Sequence, residues 1–338
     1  MERWLLHQWY GRTTPPLWLL PLSLLFGMGV ALRRRLYAAG WLSSHRLPVP
    51  VLVVGNITAG GTGKTPLTIA LVQALSQKGW RPGIVCRGYG VAGRAERPVR
   101  AGDDPAEAGD EAVLMAARSG LPVWVGSDRS AVGRALLQAH PEVNLLVSDD
   151  GLQHLALSRT MEIAVVDGER LFGNGALLPA GPLREPRARL DTVDAVVTNG
   201  PVHHPLSLRV PQFGMALRPT RWLSLDGSDR TCEVAHFSGK TAHAVAGIGH
   251  PQRFFRLLET LGIAVIAHPF PDHHPFRRDE LAFEPAAPLL MTEKDGIKCR
   301  KFALPESWML PVEAALDPAL VALVDQTLRR RGHGPTTA

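Results

Sequence analysis

The chain has 338 residues, a formal net charge of +6 and three cysteines. This length is sufficient for two domains with separate cores. Three cysteines without close pairing exclude a disulfide framework and a cysteine-based zinc site, and are typical of a reducing compartment. Residues 1–50 hold six arginines and one glutamate, so the rest of the chain is close to neutral. That distribution argues against a nucleic-acid-binding groove.

An apolar run without charges covers residues 17–32 and is followed directly by Arg33, Arg34 and Arg35. The run is shorter than the ~20 residues that span a bilayer core. A cleaved signal peptide is disfavoured because the charges follow the apolar run and no small-residue cleavage site comes after it. A short anchor with cytoplasmic arginines, a helix lying in the interface and a buried helix of a soluble domain all fit the run. The neighbouring tryptophans and tyrosines favour the membrane, and we predict that residues 1–36 form a membrane-associated helix on the inner leaflet.

A glycine-rich loop at residues 58–65 follows the β-branched apolar run of residues 51–54 and precedes a helical pattern. In this context the backbone N–H groups and the helix N-terminus bind phosphate, the lysine reaches the β- and γ-phosphates, and the threonine hydroxyl ligates Mg²⁺. Thr58 stands where the strict pattern has its first glycine. We therefore predict a nucleoside triphosphate site formed by Thr58, Ala59, Gly60, Gly61, Thr62, Gly63, Lys64 and Thr65.

Two absences in the sequence narrow the class of nucleotide-binding protein. The deviant loops of membrane-partitioning ATPases carry a lysine where this chain has Ala59. Guanine is read by an Asn-Lys-x-Asp element, and no such tetrapeptide occurs in the chain. An ATP-dependent enzyme is therefore favoured over a GTP switch.

The pattern of the following segments predicts an α/β fold. Apolar strands alternate with helices, which indicates a parallel sheet covered on both faces. We expect a P-loop NTPase-type core at residues 37–205, an extended two-stranded connector at 206–240, and a smaller second α/β domain at 241–338. Residues 90–109 are predicted to form a surface loop.

Several polar residues follow predicted strands or begin predicted helices. Asp149 and Asp150 come at the carboxyl end of a buried strand, where open α/β sheets bind ligands. One of them would hold Mg²⁺ directly or through water, although acids at this position also cap helices. His273 follows a strand of the second domain, and a histidine paired with a carboxylate suits general-base chemistry better than a metal. Arg184 lies in a proline-rich loop and could stabilise a transferring phosphoryl group.

Eight short segments of the sequence form a recognisable set. In chain order they are Gly55-Asn56-x-Thr58-x-Gly60-Gly61-Thr62-Gly63-Lys64-Thr65-Pro66, Arg87-Gly88-Tyr89-Gly90, Gly109-Asp110-Glu111, Asp149-Asp150-Gly151-Leu152-Gln153-His154, Pro182-Leu183-Arg184-Glu185-Pro186, Ala246-Gly247-Ile248-Gly249, Asp272-His273 and Thr292-Glu293-Lys294-Asp295. This set resembles the tetraacyldisaccharide 4′-kinases, which are the lipid A 4′-kinases of Gram-negative bacteria. The resemblance covers nearly the whole chain, Thr58 is the family's own variant of the loop, and Leu152 replaces the usual phenylalanine.

The resemblance implies a kinase that moves the γ-phosphate of ATP to the 4′-hydroxyl of an acylated glucosamine disaccharide at the cytoplasmic face of the inner membrane. It implies that Asp110 accepts the sugar proton and that His273 orients or tunes it. Thr65, Asp149, Asp150 and Glu111 would surround Mg²⁺. Arg184, Arg129, Gln153 and His154 would contact phosphate or substrate.

A membrane-attached ATPase switch that regulates a partner is the alternative function. Ala59 argues against it, because the extra lysine of such switches is missing. Nothing in the sequence indicates nucleic acid or an obligatory protein partner.

Overall fold

The computed structural model describes residues 2–11, 14–88, 95–202, 206–228 and 230–332. Tyr89 and Gly90 of the motif that begins at Arg87 lie outside the described residues. The helices are α1 (Glu2–Tyr10), α2 (Leu20–Ala38), α3 (Lys64–Gln77), α4 (Pro105–Ala108), α5 (Asp110–Ser119), α6 (Arg129–Ala139), α7 (Pro251–Thr260), α8 (Glu293–Cys299) and α9 (Pro318–Gly332). The strands are β1 (Val51–Gly55), β2 (Pro82–Cys86), β3 (Arg97–Val99), β4 (Val123–Val125), β5 (Leu145–Asp149), β6 (Met161–Asp167), β7 (Ala195–Asn199), β8 (Gln212–Pro219), β9 (Arg221–Ser224), β10 (Thr231–Glu233), β11 (Thr241–Ala246), β12 (Ala264–Pro269), β13 (Leu289–Thr292), β14 (Ser307–Leu310) and β15 (Val312–Leu316).

The first sheet has nine strands in the order β15-β8-β7-β6-β1-β5-β2-β4-β3. The strands pair in parallel except for β3 and β15 at its edges. Alternate residues of β1 face opposite cores: Leu52 and Val54 pack with α3, α5 and α9, whereas Val51 and Val53 pack with α6. This two-sided burial confirms the predicted parallel α/β architecture and explains why the central strands read as continuous apolar runs.

The predicted surface loop at residues 90–109 contains regular structure in its described part. Residues 97–99 form β3, which pairs antiparallel with β4, and α4 follows after Asp104. The side chain of Asp104 caps α4 by accepting a hydrogen bond from the Ala106 N–H. The charged composition of this segment reflects an exposed sheet edge rather than an irregular loop.

The second sheet has six strands in the order β10-β9-β14-β13-β11-β12. Strands β14, β13, β11 and β12 are parallel, and β9 pairs antiparallel with both β10 and β14. Trp222 and Phe237 are the largest fully buried side chains of this half of the molecule. The indole N–H of Trp222 donates to the Val234 carbonyl at 3.1 Å, so its polar group is satisfied inside the core.

The predicted connector at residues 206–240 contains two strands, β8 and β9. They do not pair with each other, because β8 joins the first sheet and β9 the second. The chain later returns, because β15 pairs with β8 and α9 packs on the first sheet. Both crossings occur side by side, where the N–H of Thr220 donates to the Pro311 carbonyl at 3.1 Å. Pro219 and Pro311 cannot donate to a ladder, which ends each strand there. The domain division at residue 241 stays a prediction.

At the N-terminus, a short 3-10 turn at Leu17–Leu19 leads into α2. The combined helix of 22 residues (Leu17–Ala38) is long and apolar enough to cross a membrane by length and composition, and little of it is buried. It exceeds the predicted apolar run because it continues through the three arginines. Several apolar side chains of this helix are exposed, namely Leu17, Trp18, Leu22, Leu24, Leu25, Met28 and Leu32.

Candidate active site

The glycine-rich loop (residues 58–65) connects β1 to α3, and its shape depends on glycine at two positions. Gly60 and Gly63 have φ angles of +94° and +91°, which disfavour other residues. A Cβ atom on Gly63 would lie 2.2 Å from Nδ2 of Asn199, the atom that donates to the Thr62 carbonyl at 3.0 Å. Asn199, at the end of β7, therefore fixes the loop at close range.

Lys64 is the first residue of α3 and is held by two side chains. Its Nζ donates to Asn56 Oδ1 at 3.3 Å and lies 3.5 Å from Asp150 Oδ1. Asp150 also accepts two hydrogen bonds from Arg184, at 3.1 and 3.2 Å. Burial alone would raise the pKa of Asp150, but the charges of Lys64 and Arg184 lower it to about 2. Asp150 is thus ionised and occupied by two cations.

Asp149 differs from its neighbour because it is buried and has few positive partners. It is 2 % exposed and accepts a hydrogen bond from the Thr68 hydroxyl at 2.8 Å. Burial raises its pKa, and the negative charge of Glu111 raises it further. A divalent cation placed among these carboxylates would relieve that repulsion. The oxygen donors of Asp149, Glu111 and Thr65, which follows Lys64 in α3, are of the kind that Mg²⁺ prefers, so these residues fit the ion.

Asp110 and His273 are in direct contact, although Asp110 begins α5, which packs on the first sheet, and His273 follows β12 of the second sheet. His273 Nδ1 is 3.0 Å from Asp110 Oδ1 and 2.9 Å from Oδ2. Burial would raise the pKa of Asp110, but the hydrogen bond from His273, with Lys294 and Lys298, lowers it to about 2. Burial disfavours the charged imidazole, yet the hydrogen bond with Asp110 outweighs it and raises the pKa of His273. The pair that the resemblance implied is therefore brought together.

Lys294 is a site residue to which the sequence reasoning gave no role. Its Nζ donates to Glu111 Oε1 at 3.0 Å and to Asp272 Oδ1 at 3.1 Å, and it lies 3.3 Å from His273 Nε2. The surrounding carboxylates raise its pKa despite burial, so it is charged. Its position after β13, in the Thr-Glu-Lys-Asp segment, was the available signal.

The three remaining predicted contacts support the backbone of the site. Arg129 is 3 % exposed and donates to the carbonyls of Gly126 and Asp149 at 3.2 and 3.3 Å. Burial, with the charge of Arg129, lowers the pKa of His154 to about 4. Gln153 Nε2 donates to the Asn56 carbonyl at 3.0 Å and so ties the aspartate turn to the glycine-rich loop.

Two cavities meet at the glycine-rich loop. The larger cavity, about 1790 Å³, is lined by Lys64, Asp149, Asp150, Arg184, Asp110 and His273, and also by Leu5, Leu6 and Trp9 of α1. The smaller cavity, about 910 Å³, is lined by Thr65, Arg253, Phe254 and Leu257 among others. Gly61, Lys64, Glu111 and Asp272 line both cavities. The arrangement therefore offers two binding spaces joined at Lys64.

Beside the smaller cavity, two buried polar atoms find no hydrogen-bond partner within the described parts of the chain. They are Oγ1 of Thr62 and Oδ1 of Asn199, and both residues are about 1 % exposed. Buried polar groups are normally satisfied, so unpaired atoms at a glycine-rich loop suit a polar ligand.

Comparison with known proteins identifies the family of this chain. The sequence profile described as tetraacyldisaccharide-1-P 4′-kinase (LpxK) matches residues 16–329. The tetraacyldisaccharide 4′-kinase of Methylobacillus flagellatus is 49% identical over 97% of each chain, and that of Dechloromonas aromatica is 50% identical over 98% of this chain and 99% of its own. A crystal structure of LpxK from Aquifex aeolicus in complex with ATP superimposes with a TM-score of 0.77 at 30% identity, covering 92% of this chain and 98% of that one. The chain belongs to the tetraacyldisaccharide 4′-kinase family.

Proposed function

We propose that the protein transfers the γ-phosphate of ATP to the 4′-hydroxyl of a tetraacylated glucosamine disaccharide 1-phosphate, a step of lipid A biosynthesis. The supporting observation is the junction of the two cavities. Lys64 stands where they meet, and the Asp110–His273 pair lines the larger one. A nucleotide in the smaller cavity and an acceptor hydroxyl in the larger cavity would therefore meet at Lys64.

ATP would occupy the smaller cavity, with its phosphates along residues 58–65. The N–H groups of the loop and the start of α3 would bind phosphate oxygens, and Lys64 would neutralise the charge near the γ-phosphate. Lys64 has to exchange its contact with Asp150 for the phosphate. Asp150 keeps Arg184 as a partner, so its carboxylate stays paired after that exchange.

Thr65, Asp149 and Glu111 would hold Mg²⁺. When bound, the ion supplies positive charge that neutralises phosphate oxygens and favours transfer. Two hydrogen bonds hold Asp149 in place for this role. The Thr68 hydroxyl donates to its carboxylate, and Arg129 donates to its backbone carbonyl. Arg184 reaches the same region and could stabilise the charge of the transferring group.

Asp110 would accept the proton of the acceptor hydroxyl. A bond forms between that oxygen and the γ-phosphorus while the bond from phosphorus to the β–γ bridging oxygen breaks, so that ADP leaves. The low pKa of Asp110 keeps its carboxylate ionised at neutral pH. His273 orients the carboxylate and tunes its basicity, and Lys294 holds His273 and Asp272 in place.

Helix α2 would lie at the cytoplasmic face of the bacterial inner membrane, with its exposed leucines in lipid. Contacts with the core set its position: Ser23 Oγ donates to the Leu177 carbonyl at 2.9 Å, Arg33 donates to the Gln153 carbonyl at 2.9 Å, and Arg34 pairs with Glu185 at 3.2 Å. An acylated acceptor would then enter the larger cavity from the membrane surface.

The experiment is transfer of radiolabelled γ-phosphate to a tetraacylated disaccharide 1-phosphate in mixed micelles. We expect label in the glycolipid, and little ATP hydrolysis when the glycolipid is left out. The Lys64→Ala variant should neither transfer label nor hydrolyse ATP. ATP hydrolysis that is independent of the glycolipid, without labelled lipid, would instead support a membrane-attached ATPase switch.

A further inference from the structure

Arg170, in the turn after β6, makes hydrogen bonds to both halves of the molecule. Its Nη2 donates to the carbonyl of Gly61 in the glycine-rich loop at 2.6 Å, and its Nη1 donates to the carbonyl of Gly249, after β11, at 2.9 Å. The third donor, Nε, contacts the buried carboxylate of Asp167 at 3.2 Å. Each of the three guanidinium nitrogens therefore donates to a fixed partner, a geometry that the rigid arginine fork suits well.

The two carbonyls that Arg170 joins belong to backbone segments in close contact. A Cβ atom on Gly249 would lie 2.3 Å from the N atom of Gly61. The Gly-Ile-Gly turn of the second sheet therefore needs its last glycine for approach to the loop. Arg170 sets the spacing and orientation of this approach because one planar group holds both carbonyls.

Tyr10, the last residue of α1, completes the arrangement from the N-terminal side. Its hydroxyl donates to the carbonyl of Ala59 at 3.2 Å, and its ring lies 4.7 Å from Cζ of Arg170. Burial raises the pKa of Tyr10, so the phenol stays protonated and remains a donor. Tyr10 thus contacts the glycine-rich loop directly, and through a cation–π interaction it also contacts Arg170, which holds the loop.

Helix α1 is also part of the wall of the larger cavity, through Leu5, Leu6 and Trp9. Trp9 is in turn fixed by its indole N–H, which donates to the Pro179 carbonyl at 2.9 Å. An acylated acceptor in that cavity would pack against the same short helix that carries Tyr10. If the acceptor orders α1, Tyr10 would in turn fix Ala59 directly and Gly61 through Arg170.

We propose that Tyr10 and Arg170 are positioning residues that couple the acceptor cavity to the glycine-rich loop, so that acceptor and ATP strengthen each other's binding. The proposal rests on the assignment of residues 58–65 as the ATP site. Neither residue touches the reacting atoms; both act through the carbonyls of Ala59, Gly61 and Gly249. Coupling between two sites is reciprocal, so it can be measured on either ligand.

The test measures the affinity of Mg·AMP-PNP by calorimetry, in mixed micelles with and without a tetraacylated disaccharide 1-phosphate. For the unaltered protein we expect the acceptor to tighten AMP-PNP binding by about tenfold, within the usual range of coupling. The ratio of the two affinities should fall toward one in Tyr10→Phe, which keeps the ring, and in Arg170→Gln. A purely structural role would change thermal stability but leave this ratio intact.

Arg187→Gln is the matched control. Arg187 stacks on Phe172 with its Cζ 4.4 Å from the ring, the same kind of contact as between Arg170 and Tyr10, but on a different surface. It should keep the tenfold ratio. An unaltered protein without coupling, or coupling that persists in both Tyr10→Phe and Arg170→Gln, overturns the proposal. The Lys64→Ala variant tests the ATP site separately from the coupling. If this variant binds AMP-PNP normally, residues 58–65 are misassigned as the ATP site, and the coupling proposal fails with that assignment.

Discussion

His273 Nδ1 lies 2.9 Å from Oδ2 of Asp110, and the two residues come from opposite halves of the molecule. Asp110 begins α5, which packs on the first sheet, whereas His273 follows β12 of the second sheet. The pair can form only while the two sheets are in this relative position. The base that we propose would therefore be complete only while the cleft between the sheets is closed, which would limit ATP hydrolysis by water.

The pH dependence of transfer should report His273. Its pKa is raised above the ordinary value of 6.5 by Asp110, so the ring carries a proton to higher pH than a free histidine. A protonated ring neutralises the Asp110 carboxylate and weakens it as a base. We therefore expect kcat to rise with pH through an apparent pKa above 6.5, measured at saturating ATP and acceptor. Asp110 itself, with a pKa of about 2, titrates far below this range.

His273→Gln provides the control for that profile. Glutamine can still donate to Asp110 but does not titrate, so the rise should disappear and a lower, flat rate should remain. A variant that keeps the same rising limb would show that another group controls it.

Lys294→Met should lower kcat by about 100-fold, the scale of losing a positioned acid–base partner. The Lys294 ammonium contacts Glu111, Asp272 and His273, and its removal leaves the carboxylates of Glu111 and Asp272 without this cation. Lys301→Met is the comparison, because Lys301 forms an exposed ion pair with Asp104 at 3.7 Å. Its loss should leave kcat unchanged, since exposed ion pairs contribute little. Equal effects of the two variants on kcat would contradict the special role of Lys294.

Gly63→Ala should reduce kcat/KM for ATP by about 100-fold, as small displacements of binding groups do. The new methyl group would meet Asn199 at 2.2 Å in addition to the strain of a positive φ. Gly79→Ala carries the same strain, with φ of +89°, but its methyl group would have open space. It should cost roughly 1 kcal/mol of stability and leave kcat/KM unchanged. If both variants lose activity equally, the contact with Asn199 is irrelevant to ATP.

Much of this site follows from local sequence. The positions of Lys64, Asp110 and Asp149 at the ends of regular elements could be predicted because glycine punctuation and apolar runs fix those ends. The placement of β8 in the first sheet and β9 in the second could not be predicted, since alternating apolar residues define a strand but not its neighbour. The contact of Gly249 with Gly61, and that of Lys294 with Glu111, depend on how the two sheets are placed at Thr220 and Pro311. No local pattern encodes that placement.

Replacing Leu24, Leu25 and Met28 by glutamine should release the protein from membranes. These side chains are 60–69 % exposed, and their removal takes apolar surface from α2 while the contacts of Ser23 with the core remain. We expect less protein to sediment with membranes and lower activity on acceptor in bilayers. Activity on acceptor in detergent micelles should be kept, which controls for folding. Undiminished sedimentation after a high-salt wash would place the attachment elsewhere.

The most direct test of the account is a double-mutant cycle between Asp110 and His273. Asp110→Asn and His273→Gln should each lower kcat by roughly 10²- to 10⁴-fold, with little change in KM for ATP. Because we assign them to one catalytic unit, the double variant should be about as slow as the slower single variant. A double variant slowed by the full product of the two single effects would mean that they act independently, and the paired base would have to be abandoned.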